Sequence, residues 1–253
     1  MRLKNKVAII TGGAKGFGAA MVRLFVAQGA KVILADIDSE NGQAIAAELG
    51  ENCLFMRCDH CDKANNELVV KTAVDTWGGI DILINNAGIG WTGDFIDADD
   101  EVLQRLMTIN LTGQWNLTQA ALPELRKSAK NNANGTALLF TSSGLGLYGV
   151  TKSSAYTVSK HAVIGLMRSL AAELGPENIR VNAICPGIAD TNLARSTTAW
   201  GDVDQVLSKL AENTPLRKLA EPIDIANAAL FLASDEGRMV HCVALRVDGG
   251  AHT

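Results

Sequence analysis

Short apolar runs rich in β-branched residues alternate with longer amphipathic stretches along the whole chain. Most of the apolar runs are continuously apolar rather than alternating, which is typical of strands that are covered on both faces. They lie at residues 7–10, 31–35, 54–56, 80–84, 136–141, 179–184 and 243–247, with helical patterns at 17–29, 39–49, 62–77, 100–127, 155–174 and 222–233. This alternation predicts an α/β fold, a doubly wound parallel sheet of seven strands with helices on both faces.

The chain shows no linker that would divide it. Hydrophobic residues make up 47% and charged residues 20% of its 253 residues, enough apolar material for one substantial core. No Pro- or Ser-rich segment and no internal repeat interrupts the alternation, so residues 1–253 are predicted to form a single domain. Residues 188–220 depart from the pattern, with small polar residues and a weak helical signal, and are interpreted as a lid over a substrate.

Charge and hydropathy exclude several classes of partner. The formal net charge of -4 disfavours nucleic-acid binding, which normally needs a basic face. No run of about 18 apolar residues is present, so no membrane span is predicted. The N-terminus leads directly into the first apolar run without a signal-peptide core, and the predicted location is cytoplasmic.

Cysteine usage indicates reduced thiols and no metal site. The five cysteines have no spacing of a disulfide framework. Cys58 and Cys61 form a lone C-x-x-C without a second ligand pair, which is better interpreted as two small residues at the end of a buried strand than as a zinc site.

A glycine-rich turn follows the first strand and opens a helix. In the segment Thr11-Gly-Gly-Ala-Lys-Gly-Phe-Gly18, glycines 12, 16 and 18 allow close backbone approach to a pyrophosphate, which the amides and dipole at the helix N-terminus would stabilise. Glycines in such a turn can also serve packing alone. The strand–turn–helix context favours dinucleotide binding.

Asp36 ends the second predicted strand, at about the expected distance from the glycines. Its carboxylate can accept hydrogen bonds from both ribose hydroxyls and would repel a 2′-phosphate, so NAD is predicted in preference to NADP. Lys15 favours NADP instead, because a basic side chain next to the second glycine can bind that phosphate. Asp36 is given more weight because Lys15 is flexible and easily solvated. The alternative role for Asp36 is a helix cap.

Both tyrosines of the chain lie in the pattern Y-x-x-x-K, as Tyr148 with Lys152 and Tyr156 with Lys160. On a helix, residues four apart share a face. A phenol titrates near pH 10, and a neighbouring ammonium and an oxidised nicotinamide are expected to lower its pKa toward neutrality, as a general acid or base requires. Tyr156 begins a long helical pattern, whereas Tyr148 is followed by Gly149 and two β-branched residues. Tyr156 is therefore the predicted proton-transfer group, and Tyr148 a pocket-lining or surface residue.

Eight motifs occur in a specific order. They are Thr11-Gly-Gly-Ala-Lys-Gly-Phe-Gly18, Asp59, Asn85-Asn86-Ala87-Gly88, Asn110, Ser142-Ser143, Tyr156-x-x-x-Lys160, Pro186-Gly187 and Val247-Asp248-Gly249-Gly250. With these motifs the chain resembles the short-chain dehydrogenase/reductases over essentially its whole length. The resemblance implies a Rossmann-like fold and a hydride transfer between a nicotinamide and a carbonyl or alcohol.

The resemblance also implies four catalytic residues. Ser143 would hydrogen-bond the substrate oxygen; it is preferred to Ser142 because the second serine of such a pair usually has this role. Tyr156 would give or take the hydroxyl proton, and Lys160 would lower the pKa of Tyr156 and hold the nicotinamide ribose. Asn110 would kink its helix and anchor a water chain that relays protons through Lys160.

Further residues are implied to bind the cofactor. Asn86, Ala87 and Gly88 would line the adenine ribose, Asp59 with His60 would contact the adenine, and the segment at 186–191 would position the carboxamide. The full predicted set is Gly12, Lys15, Gly16, Phe17, Gly18, Asp36, Asp59, His60, Asn86, Ala87, Gly88, Tyr156, Lys160, Pro186, Gly187, Ala189 and Thr191.

Three positions depart from the family pattern. Phe17 replaces a smaller aliphatic residue, Ala189 replaces a branched one, and Val240-His241-Cys242 stands where valine or isoleucine, threonine and glycine are usual. The last departure lies in a segment that contributes to subunit contacts in the family, so a homotetramer is expected, with a dimer as the alternative.

The leading functional hypothesis is an NAD(H)-dependent enzyme that interconverts a small or medium secondary alcohol and its ketone. The alternatives are a 3-oxoacyl-carrier-protein reductase, which is expected to use NADPH and a basic docking patch, and a non-catalytic NAD-binding regulator. The presence of all four catalytic residue types favours an enzyme.

Overall fold

The computed structural model describes residues 1–190, 195 and 202–251. Its centre is a parallel sheet of seven strands in the order β3-β2-β1-β4-β5-β6-β7. The strands are β1 (Val7–Thr11), β2 (Lys31–Asp36), β3 (Cys53–Arg57), β4 (Ile82–Asn85), β5 (Thr136–Thr141), β6 (Ile179–Pro186) and β7 (Ala244–Val247). The predicted doubly wound, Rossmann-like sheet is confirmed, and each predicted strand is present within a few residues.

Helices cover both faces of the sheet. They are α1 (Gly16–Ala27), α2 (Ser39–Leu49), α3 (Lys63–Trp77), α4 (Asp100–Met107), α5 (Gly113–Lys130), α6 (Ser154–Leu174), α7 (Val203–Asn213) and α8 (Pro222–Ala233). Apolar residues of α3, α5 and α6 form one core with one face of the strands, and those of α1, α2 and α8 form a second core with the other face. Neighbouring strand residues such as Ile9 and Ile10 point into opposite cores, which explains why the strands are continuously apolar.

The sequence predicted one helix over residues 100–127, and this is wrong in one respect. A π-helical turn, Thr108–Thr112, separates α4 from α5. The turn contains the buried Asn110, whose side chain bonds outside the helix. A π turn is a local insertion that leaves the apolar period on either side nearly intact, so periodicity alone does not show it.

The order of the strands reverses between β1 and β4, which are adjacent although β2 and β3 come between them in the chain. Connections leave to opposite sides at such a switch point and open a crevice at the carboxyl ends of the strands. This geometry places the ends of β1, β4, β5 and β6 around one crevice.

The predicted lid at 188–220 is described only in part. Ala189 pairs with Ala220 in an isolated bridge, which ties the two ends of the segment together. Within it, α7 begins after Asp202, whose side chain accepts a hydrogen bond from the Gln205 amide. Among the described residues, no helix combines the length and apolar character that crossing a membrane requires.

Candidate active site

The glycine turn lies at the carboxyl end of β1 and leads into α1. Gly12 has a φ of 64°, and a Cβ at this position would lie 2.9 Å from the Ala87 Cα. A Cβ on Gly18 would lie 1.9 Å from the Gly12 carbonyl oxygen. Two backbone segments therefore approach so closely that only glycine fits at these positions.

The N-terminus of α1 is open to an anion. Its N-cap, Lys15, makes no side-chain capping bond, and no acidic residue lies in the first turn. Phe17 is partly buried and packs against the core beneath the turn. The first amides of a helix carry partial positive charge, so this end suits a phosphate group.

Asp36 holds the shape of the turn. One of its carboxylate oxygens accepts a hydrogen bond from the Ala14 amide at 2.9 Å, and the other accepts one from the Asp38 amide at 3.0 Å. Each oxygen keeps a lone pair for a further donor. The carboxylate is thus fixed at the end of β2, where the sequence analysis predicts that it contacts a ribose.

Lys15 is paired with Asp38, a residue that the sequence analysis did not single out. The Lys15 ammonium lies 2.5 Å from the Asp38 carboxylate. The Lys15 hydrogen bond, together with bonds from Asn41, lowers the pKa of Asp38 to about 2. Asp38 also caps α2 by accepting a bond from the Asn41 amide. An acid directly before a helical pattern is an N-cap signal, and this signal was available in the sequence.

Asn86 joins the ends of three strands. Its amide nitrogen donates to the Thr11 carbonyl at 3.0 Å, and its amide oxygen accepts from the Thr141 hydroxyl at 3.1 Å. The Thr11 hydroxyl in turn accepts the backbone amides of Asn86 and Ala87. Thr11 and Thr141 were not predicted, and their role depends on the meeting of strands distant in sequence.

Ser142 and Ser143 follow β5 and have different roles. The Ser142 hydroxyl is buried and donates to the Lys160 carbonyl at 3.0 Å. The Ser143 hydroxyl accepts a bond from the Leu145 amide at 3.1 Å and is hydrogen-bonded with Tyr156. Ser143, the serine preferred in the sequence analysis, is thus the one that lies beside the phenol.

Tyr156 and Lys160 lie on one face of α6, as their spacing predicts. The Lys160 ammonium is 5.7 Å from the centroid of the Tyr156 ring and donates to the Thr141 carbonyl at 3.1 Å. Lys160 is only 4% exposed. A lysine this buried beneath a phenol is unusual in a structural role, because burying the charge costs stability.

In the folded chain the net shift of the phenol pKa is upward, so the expected lowering by the neighbouring ammonium is wrong. Burial raises the pKa of Tyr156 to about 12, although the Ser143 hydrogen bond acts in the opposite direction. Burial also lowers the pKa of Lys160 to about 8, so the ammonium gives up its proton more readily. For both groups desolvation is the largest cause of the shift, because burial disfavours the charged form of each. The other cause named by the sequence analysis, an oxidised nicotinamide, belongs to the cofactor.

The second Y-x-x-x-K pattern forms no such pair. Tyr148 lies in the loop before α6, where a Cβ on Gly144 would meet its hydroxyl at 2.1 Å. Burial raises the pKa of Tyr148 to about 12. Lys152 is exposed and lies 3.6 Å from Asp94. Because α6 begins only at residue 154, this tyrosine and lysine lack the helix that would align them.

Asn110 lies in the π turn behind Lys160. Its side-chain oxygen accepts the Ile89 amide at 2.8 Å, and its nitrogen donates to the Ile89 carbonyl at 2.9 Å and to the Ser159 hydroxyl at 3.0 Å. A Cβ on Gly88 would lie 3.0 Å from the Asn110 oxygen and 3.3 Å from the Lys160 nitrogen. Gly88 therefore lies between the two groups, which face the same small space.

Asp59 and His60, in the loop between β3 and α3, differ in burial. Asp59 is exposed, and its carboxylate accepts the Cys61 amide at 3.0 Å. The His60 ring is buried, with its Nε2 atom 2.8 Å from the Ile109 carbonyl in the π turn. The imidazole is thus engaged with the protein, which the sequence did not indicate.

The end of β6 forms the remaining wall. The Gly187 amide donates to the Val247 carbonyl at 3.0 Å, and a Cβ on Gly187 would meet the Asp248 Cβ at 2.7 Å. Ala189 is buried beside Ala220. Thr191, the last predicted cofactor contact, lies outside the described residues.

These residues fit a nicotinamide dinucleotide. The glycine turn is a cradle that any Cβ would fill, the open end of α1 supplies amides for a pyrophosphate, and Asp36 offers acceptors for a ribose. Ser143 and Tyr156 offer two hydroxyls to one oxygen atom. The described residues contain no group of three or more His, Cys, Asp or Glu side chains arranged to hold a metal ion.

Comparison with known proteins gives matches over nearly the whole chain. A family model described as enoyl-(acyl carrier protein) reductase matches residues 12–252. The oxidoreductase UcpA of Salmonella typhimurium is 38% identical over 99% of this chain and 95% of that protein. The 3-alpha-(or 20-beta)-hydroxysteroid dehydrogenase of Mycobacterium tuberculosis is 38% identical over 98% of this chain and 90% of that protein.

A solved structure also matches nearly the whole chain. The crystal structure of 3-ketoacyl-(acyl-carrier-protein) reductase from Brucella melitensis complexed with NADH superimposes with a TM-score of 0.91 at 31% identity, over 98% of this chain and 99% of that one.

Proposed function

The chain belongs to the short-chain dehydrogenase/reductase family, and on that basis we propose that it is an NAD(H)-dependent enzyme interconverting a secondary alcohol and a ketone. One observation carries the proposal. The Tyr156 phenol is hydrogen-bonded with Ser143, which follows the carboxyl end of β5, and the buried Lys160 ammonium lies 5.7 Å from the centroid of its ring.

Each of these residues has a role that its position supports. The hydroxyls of Ser143 and Tyr156 converge on the substrate oxygen and stabilise the charge that develops on it. Tyr156 takes the proton from an alcohol during oxidation and returns it to the oxygen during reduction. The side chains of Asn110 and Lys160 provide polar atoms near the phenol, and these atoms relay the proton away from Tyr156.

The bound dinucleotide supplies the hydride and, when oxidised, the positive charge that favours the phenolate. The glycine turn, Asp36, Asn86 to Gly88 and the end of β6 would hold it. The chain's own task is to orient the cofactor and substrate and to keep the reacting atoms at a fixed distance.

NAD is proposed in preference to NADP. The Asp36 carboxylate is held in place by two backbone amides, and a 2′-phosphate at the ribose would meet its negative charge. Lys15, the residue that favours NADP in the sequence, is already paired with Asp38. The pairing of Lys15 with Asp38 supports the greater weight given to Asp36.

The substrate is proposed to be an uncharged, apolar secondary alcohol. The proposal is supported by a relative at 38% identity whose name gives a hydroxysteroid as its substrate. The second candidate, a 3-oxoacyl-carrier-protein reductase, is favoured by the solved structure, which has that name. The net charge of -4 does not support docking of an acidic carrier protein. A non-catalytic regulator would have no need of the buried Lys160.

We further propose a cytoplasmic enzyme that forms a homotetramer or a dimer. The His241 ring accepts the Val181 amide at 3.1 Å and contacts the Ala171 carbonyl at 2.9 Å, joining the segment before β7 to β6 and α6. The residues that depart from the family pattern at this place therefore still hold the last strand. Sedimentation equilibrium of the full chain would measure the subunit number.

The experiment that tests the function compares the two tyrosines. The wild-type chain is assayed for NAD and NADP reduction with a panel of cyclic and linear secondary alcohols and a 3-hydroxyacyl thioester. Tyr156→Phe is expected to lower kcat by about 10²–10⁴-fold, the usual contribution of a positioned acid/base group. Tyr148→Phe, the matched control in the other Y-x-x-x-K, is expected to keep kcat within about threefold. Equal rates for the wild type and Tyr156→Phe would refute the mechanism.

A further inference from the structure

The π turn between α4 and α5 is held by side chains from outside the helix. The His60 Nε2 atom lies 2.8 Å from the Ile109 carbonyl, and the Cys61 thiol lies 3.7 Å from the Thr108 carbonyl. Both carbonyls belong to the first two residues of the π turn Thr108–Thr112. Widening a helix into a π turn disturbs the regular carbonyl–amide pairing, so partners from outside can stabilise it.

The geometry fixes which atom of His60 carries a proton. A carbonyl oxygen only accepts hydrogen bonds, so Nε2 must be the donor in the contact with Ile109. The neutral Nε2–H tautomer and the imidazolium both satisfy this condition. The ring is only 8% exposed, and its backbone carbonyl accepts a bond from Asn66 at 2.8 Å, so its position is fixed on both sides.

Gly113 provides the space for the imidazole. A Cβ at Gly113 would lie 1.8 Å from the His60 Cδ2 atom and 2.5 Å from Nε2. The backbone of Gly113 is ordinary right-handed helix, with a φ of -60°. Glycine at such a position costs about 1 kcal/mol relative to alanine, and no backbone strain requires it. The His60 ring is the reason for a glycine here.

Asn110 follows directly after the carbonyl that His60 holds. Its side chain bonds both backbone groups of Ile89 and the Ser159 hydroxyl, and it faces Lys160 across Gly88. The backbone of the π turn thus determines where this amide meets the lysine. A displacement of about 1 Å in such a group can cost 10²-fold in rate.

We propose that His60 is a positioning residue for the reaction, and that its imidazole, seated in the space left by Gly113, holds the π turn that presents Asn110 to Lys160. This role rests on the proposed function, because Asn110 and Lys160 are catalytic only there. It differs from the adenine contact that the family resemblance implies for His60, since the ring acts on the nicotinamide end of the site through Asn110.

The test uses five variants of the full chain. His60→Leu keeps the volume and removes the donor, whereas His60→Gln restores an N–H at the same distance along the side chain. Gly113→Ala fills the space of the ring. The double variant His60→Ala/Gly113→Ala shows whether the two sites act together, with His60→Ala as its reference.

The expected result separates turnover from binding. His60→Leu and Gly113→Ala should each lower kcat by about 10- to 100-fold, with the NAD dissociation constant within twofold of wild type by fluorescence quenching. His60→Gln should recover at least half of the lost activity on a logarithmic scale. Gly113→Ala should have no further effect in the His60→Ala background, because residues that share a contact are not additive.

Hydrogen–deuterium exchange gives a readout that does not depend on activity. Amides of residues 108–114 should exchange at least tenfold faster in His60→Leu and Gly113→Ala, and at the wild-type rate in Tyr156→Phe. Unchanged exchange, or weaker NAD binding with unchanged kcat, would overturn the proposal. Failure of the proposed function would show instead as full activity of Tyr156→Phe, whatever the His60 variants do.

Discussion

Lys160 is a buried cation whose removal should stabilise the fold. It is 4% exposed, its ammonium bonds one carbonyl, and burial lowers its pKa from 10.5 to about 8. We expect Lys160→Met, which keeps the length of the side chain and removes the charge, to be inactive and more stable than wild type at pH 7. Groups kept for a reaction at the expense of stability are common in active sites.

The magnitude follows from the two pKa values. In the folded chain the pKa is about 8 and in the unfolded chain it is 10.5, a difference that corresponds to roughly 3 kcal/mol. The lost hydrogen bond to the Thr141 carbonyl at 3.1 Å offsets about 1.5–3 kcal/mol of this. The net gain at pH 7 is therefore about 1 kcal/mol.

The pH dependence gives the sharper measurement. Below pH 8 both states of the wild type hold the lysine proton, and the full cost of the buried charge is present. Between pH 8 and 10.5 the unfolded state binds more protons than the folded state, so wild-type stability rises relative to the variant. The variant's advantage of about 1 kcal/mol at pH 7 should fall by about 2 kcal/mol by pH 9.5, so that the wild type becomes the more stable chain by about 1 kcal/mol.

Urea unfolding at pH 7.0, 8.5 and 9.5 would measure this difference. Lys152→Met is the matched control, because it removes the same charge from an exposed lysine. A Lys160→Met variant whose stability relative to wild type does not change with pH would refute the argument. It would show that the folded protein does not disfavour the charged lysine.

Three further substitutions test the predicted nucleotide-binding end of the site and helix α6. Gly18→Ala should lower NAD affinity by more than tenfold by calorimetry, because its Cβ would lie 1.9 Å from the Gly12 carbonyl oxygen; tight binding by this variant would contradict the described turn. Gly165→Ala, in α6 with nothing within 4 Å of the new Cβ, should instead raise stability by about 0.5–1 kcal/mol in urea unfolding, and a loss there would mean that the site is not open. Asp38→Asn keeps the cap of α2 and frees Lys15, so the KM for NADP should fall by about 3- to 10-fold with NAD kinetics unchanged; an unchanged preference would show that this pair does not restrain Lys15.

The sequence was sufficient for the sheet and for the residues that line its edge. The strands are covered on both faces, so each is a continuous apolar run, and the helices between them determine parallel order. The sequence could predict these catalytic candidates because local features determine where each one lies. Ser143 follows the end of a strand, and Tyr156 and Lys160 are one turn apart on a helix. Local signals of this kind survive in the sequence.

What the sequence did not show depends on contacts between distant segments. The π turn is held by His60 and by the Ile89 backbone, which are 49 and 21 residues away from their partners. The direction in which the pKa of Tyr156 is shifted depends on how deeply the phenol is buried, and only the packed structure determines that burial. The Y-x-x-x-K pattern indicates that two groups are close and does not indicate how much water surrounds them.

Asp36 has a consequence for any attempt to change cofactor preference. Its two carboxylate oxygens accept the amides of Ala14 and Asp38, so the residue proposed to select the ribose also shapes the loop proposed to bind the phosphates. Selection and shape cannot be altered independently at this position. A redesign for NADP must therefore supply new acceptors for two backbone amides, in addition to a cation for the phosphate.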